Sequence, residues 1–119
     1  MNATLIALAG LMGAAGIILA AAGAHGKPGT GLDNAGYLLL IHAAAIVAVV
    51  VAAQQHVILR PLGLVVLWGF IVGAGLFAAD VSARAYFGGR LFPYAAPTGG
   101  TIMMLSWLAL VAAAIARAP

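Results

Sequence analysis

The sequence predicts an all-α integral membrane protein, a four-transmembrane-helix bundle with both termini on the same side. Three observations carry this. Of 119 residues, 66% are hydrophobic and only 6% are charged, whereas about a quarter of an average soluble chain is charged. The mean hydropathy is +1.19, too apolar for a surface covered by water. Four uncharged stretches approach or reach the roughly 20 apolar residues that a helix needs to cross a bilayer.

These stretches are residues 3–24, 35–53, 62–79 and 98–116 of a single domain spanning 1–119. The first ends in a run of small residues that resembles a signal-peptidase site. No Lys or Arg precedes it, and its apolar run exceeds the roughly 7 to 15 residues of a signal h-region, so a retained helix is expected. In lipid, helices approach through small residues. The first span supplies Gly13 and Gly16, and the third a GxxxG pair, Gly69 and Gly73, so these two helices are expected inside the bundle or at an oligomer contact. Pro61 and Pro97 sit where helices begin, because a missing N–H costs nothing in the first turn. Thr98, Gly99 and Gly100 follow; they suit either an anion-binding nest of backbone N–H groups or close approach of a neighbouring helix. The fourth span, poor in glycine, is expected to face lipid.

An even number of spans places the two termini together with the polar segment at 54–61, and the other two connections on the opposite side. Five Lys and Arg against two Asp give a net charge of +3. The basic residues are scattered among the connections, so they read as topology and headgroup anchors rather than a nucleic-acid stripe. They divide almost evenly between the two sides, and charge alone sets no orientation. The absence of Cys removes thiolate metal sites and thiol nucleophiles.

Reactive side chains concentrate on one side. His25, Asp80, Arg84 and Arg90 form the candidate polar cluster. Asp80 and Arg84 are four residues apart, so they meet on one face if the third helix continues past Ala79. The pair suits either an interfacial anchor or a gate. His42 lies within the second span, where an ionisable group must find a partner or serve as a relay. HExxH and GxSxG signatures are absent, and no Walker or Rossmann glycine pattern stands in its context. The first span also lacks the embedded carboxylate on which small four-helix exporters depend.

The segments Ala22-Gly23-Ala24-His25-Gly26, Tyr37 with His42-Ala43, Phe92-Pro93, Ala95 to Gly100 and Trp107 resemble the YgdD-like family of small bacterial inner-membrane proteins. The likeness spans nearly the whole chain. Departures are Ala20 and Ala22 where Gly and Phe are usual, Ala79 before Asp80, and Ser106 before Trp107. The resemblance implies a four-helix inner-membrane protein with no established activity.

The leading expectation is a non-enzymatic assembly or accessory protein of the bacterial inner membrane, without cofactor or metal and with both termini cytoplasmic. Its expected partners are the lipid bilayer and either its own copies or a larger membrane complex; nucleic acid is not among them. A minimal channel or transporter for protons, ions or a small solute is the alternative, and a haem- or metal-binding subunit the third.

Overall fold

The computed structural model describes residues 3–117, which form four helices long and apolar enough to cross a membrane. α1 is Ala3–Ala21, extended by a π-helical turn over Ala22–Gly26; α2 is Leu32–Gln54, α3 Arg60–Phe87 and α4 Ala95–Arg117. Each packs on its neighbour in sequence, giving an elongated bundle of 50 × 26 × 19 Å. Among the described residues there is no strand.

α2 and α3 supply most of the core. Phe70, Leu67, Val66, Ile46 and Val50 are essentially inaccessible. Leu5 of α1 and Ala113 of α4 join that cluster together with Ala53 and Ile58, which flank the α2–α3 connection. Both ends of the described chain therefore pack at the same end of the bundle. The α2–α3 connection is tied to α4 there: Leu59 N–H donates to the Ala113 carbonyl at 2.9 Å, and Arg117 Nε to the His56 carbonyl at 3.0 Å.

The small residues act between hairpin partners. Gly16 lies against Gly36 across α1 and α2, and Gly73 against Gly99 across α3 and α4. Gly69 faces Ser106, whereas Gly13 makes ordinary contacts with Leu40 and Ala43. Of the two positions expected for α1, inside the bundle or at an oligomer contact, the first is not what the fold shows. α1 flanks the bundle with three buried residues, Leu5, Ala9 and Gly16, because Gly13 and Gly16 meet α2 alone and leave Leu11, Ile17 and Ile18 outward. α4 likewise turns Met104, Leu105, Leu108, Val111 and Ile115 outward.

Helix ends have local causes. The π-turn closes with Lys27 N–H donating to the Ala22 carbonyl at 2.7 Å, and Gly23 lies directly against the Asp33 backbone, so the chain reverses without room for a side chain. α2 begins after Gly31, which holds a left-handed φ of 84°, open to glycine at little cost. α3 starts with Pro61 in its first turn and stops at Gly88, φ 74°. It thus runs two turns beyond the expected limit at Ala79. α4 begins at Ala95, one turn before Thr98.

Candidate functional site

The extra turns of α3 carry the first part of the site. Arg60 and Asp80 are 20 residues apart on one helix, about 30 Å at 1.5 Å per residue, which matches the hydrocarbon thickness of a bilayer. A bilayer boundary at Arg60 would therefore put Asp80 and Arg84 at the opposite boundary.

Asp80 is buried, at 1% exposure. A carboxylate out of water must be paired, and both of its oxygens are. Oδ1 accepts the Leu91 N–H at 2.9 Å, and Oδ2 lies 3.4 Å from Arg84 Nε. The i, i+4 spacing places Arg84 on the same face; the Leu91 contact folds the α3–α4 connection back over the helix end. Tyr94 then enters the left-handed region at φ 64°, a conformation that bulky residues rarely adopt. Its carbonyl accepts the Thr98 N–H at 2.9 Å as α4 begins.

Between the end of α3 and the start of α4 lies a cleft of about 540 Å³, within the range of small-molecule sites. Asp80, Arg84 and Arg90 line it together with Phe77, Ala96 and Gly100. Its wall is almost wholly apolar, and the two arginines and one aspartate among its lining residues sum to a net positive charge. Half-exposed Arg84 turns one edge to Asp80, and Arg90 is exposed. Tyr94 of its lining is exposed, as are Tyr86, Phe87 and Phe92 of the same stretch, aromatic side chains of the kind that gather at a membrane–water boundary.

Of the four residues expected to cluster, Asp80, Arg84 and Arg90 line this cleft. His25 does not; it is exposed on the π-turn of α1. Lys27, two residues later, sits over the Tyr86 ring at 5.0 Å. Of the two readings of Thr98, Gly99 and Gly100, the structure fits close approach of a neighbouring helix and not the nest, because α4 starts earlier. Thr98 N–H is spent on Tyr94, Gly99 is pressed on α3 at Gly73 and Phe77, and all three lie inside the helix, whose N–H groups point into its own ladder.

His42 is buried in α2, away from the cleft. Its Nδ1 lies 2.7 Å from the Leu38 carbonyl of the preceding turn, and its Nε2 accepts the Trp107 indole N–H of α4 at 3.0 Å. These partners require the tautomer with the proton on Nδ1. Phe70 of α3 meets the imidazole edge at a centroid distance of 5.1 Å and the indole at 4.7 Å. One polar contact thereby joins α2 to α4 across the core ring of α3. Among the described residues, no three His, Asp or Glu side chains are grouped to hold a metal ion.

Sequence reasoning missed Phe77 and Ala96 as cleft residues, and Trp107 as the partner of His42; it placed Tyr94 on the reactive side and Gly100 only in the nest. The Pro-, Gly- and aromatic-rich composition of 80–97 was the available signal for Ala96; Phe77 lies before it, inside the apolar span, and carries no such signal. Nothing local signals a contact made 65 residues away.

No family model matches the chain, and neither a curated protein nor a solved structure does.

Proposed function

We propose that this chain is a non-enzymatic assembly or accessory protein of the bacterial inner membrane, and that the cleft between α3 and α4 is its interaction surface. The observation that carries the reading is the state of Asp80. Both its oxygens serve the fold, one on Leu91 and one on Arg84, so the acid of the cluster shapes a cationic cleft rather than offering a free base. The resemblance of AGAHG and APTGG to YgdD-like proteins supports the bacterial inner membrane. With both termini cytoplasmic, the cleft faces the outer side.

The filled core also supports this reading over a channel. Phe70, Leu67 and Ile46 are 0% exposed between α2 and α3, so a conducting path would require the middle of the bundle to separate. For self-assembly, Gly16, Gly69, Gly73 and Gly99 are already used within the chain. The outward face of α1 retains Ala7, Gly10 and Ala14, a small-residue spacing suited to a second helix in lipid.

Native mass spectrometry of the protein released with its surrounding lipid tests the proposal. A homo-oligomer or a stable protein adduct is expected. A bare monomer, in both mild detergent and native membrane discs, would count against it.

A further inference from the structure

The cleft brings two chemistries together, arginines and an apolar wall. The cleft wall is apolar, and the exposed arginines Arg84 and Arg90 border it beside Asp80; the planar N–H edges of a guanidinium match the oxygens of a phosphate. Away from them, Phe77 and Gly100 continue the wall in the direction of the hydrocarbon. Phe77 precedes Asp80 by three residues, about 4.5 Å deeper on the same helix.

The nearest acid offers nothing to a cation. Asp80 is 1% exposed and its oxygens face Leu91 and Arg84. A choline or ethanolamine group would meet two arginines and no available counter-charge. A phosphate with a neutral alcohol headgroup would meet only complementary charge.

We infer that this cleft binds an anionic phospholipid of the surrounding bilayer, with Arg84 and Arg90 on the phosphate and an acyl chain along Phe77 and Gly100. The inference deepens the interaction-surface reading, on which it rests, by naming the chemistry of one partner. Arg90 is exposed and makes no hydrogen bond or ion pair within the described chain, so its charge is available to a ligand. Gly100 lines the cleft and has nothing within 4 Å of where a Cβ would stand, so a side chain there starts in open space beside the cleft.

The test uses the full chain in detergent, with phosphatidylglycerol or phosphatidylcholine added and lipid adducts counted by native mass spectrometry. Phosphatidylglycerol is expected to be retained about tenfold more than phosphatidylcholine, the factor that one charge-assisted contact supplies. Arg90→Gln should remove most of that preference. Gly100→Leu should lower retention of phosphatidylglycerol several-fold while leaving the thermal midpoint unchanged or raised, as expected when leucine replaces glycine in a helix. Arg84→Gln is unsuitable because it also strips Asp80 of its partner. Equal retention of the two lipids, or wild-type retention in both variants, would overturn the inference. Displacement of the lipid by inorganic phosphate alone would overturn it too, by assigning the site to a free anion. Lipid retention is read on the chain in any oligomeric state, so its failure is distinguishable from a failure to find a protein partner.

Discussion

Gly16 of α1 and Gly36 of α2 cross so closely that a Cβ on Gly16 would stand 2.7 Å from the Gly36 carbonyl oxygen, and one on Gly36 2.5 Å from that of Gly16. Gly73 and Gly99 repeat the relationship between α3 and α4, at 2.9 and 2.7 Å. Each hairpin is therefore built on a reciprocal glycine contact, and the two hairpins meet along α2 and α3.

Methyl groups at these crossings meet backbone, which yields less readily than a side chain. Gly36→Ala and Gly99→Ala should each cost about 1–3 kcal/mol, the usual penalty of overpacking. Gly10→Ala and Gly75→Ala, where a Cβ meets nothing within 4 Å, should be neutral or stabilising by up to about 1 kcal/mol. Unfolding in micelles titrated with sodium dodecyl sulfate measures both. Similar losses in the two groups would show that the crossings are not what binds the hairpins.

The contact between His42 and Trp107 predicts an energetic coupling. Trp107→Phe keeps a ring against Phe70 but removes the donor to Nε2, and His42→Leu removes the acceptor. Each should destabilise the bundle, and the double variant should lose less than the sum, with a coupling of about 0.5–1.5 kcal/mol, typical of polar contacts between membrane helices. Nitrogen NMR should find the proton on Nδ1. Additive losses, or a proton on Nε2, would rule out the link.

Much of this architecture is legible in the sequence, and the remainder is not for identifiable reasons. Four apolar stretches announce four helices because a membrane span must be both long and uncharged. The same criterion ends α3 at Ala79, since hydropathy treats Asp80 as exposed; in the fold, Arg84 and the Leu91 N–H make its burial tolerable. GxxxG marks Gly69 and Gly73 as contact residues but cannot say whether the contact lies within the chain or between copies. His42 is conspicuous because an imidazole inside a span needs a partner. That partner is Trp107, 65 residues away, and only the assembled bundle brings the two together.

The Asp80–Leu91 hydrogen bond predicts where local opening occurs. Asp80→Ala removes the acceptor for Leu91 N–H and the counter-ion of Arg84 together. The segment at 88–94 should then open more readily by about 1–3 kcal/mol, which raises amide exchange at Leu91 roughly ten- to a hundredfold. Asp80→Asn, which keeps an oxygen acceptor, should give the smaller rise. Unchanged exchange in Asp80→Ala would mean that the connection is held by its other contacts.

The absence of cysteine from the sequence permits a direct test of how the bundle sits in a membrane. Gly89, after the end of α3, and Gln55, after α2, are both exposed. On α3 the boundary residues Arg60 and Asp80 are separated by about one hydrocarbon thickness, so the α3–α4 connection and the α2–α3 connection should lie on opposite faces. In spheroplasts, a membrane-impermeant maleimide should label Gly89→Cys directly and Gln55→Cys only after lysis, if the termini are cytoplasmic as proposed. The reverse pattern would keep the four-span topology and invert the orientation, turning the arginine cleft toward the cytoplasm. Labelling of both positions from one side would be incompatible with α3 crossing the membrane, whatever its length and hydropathy.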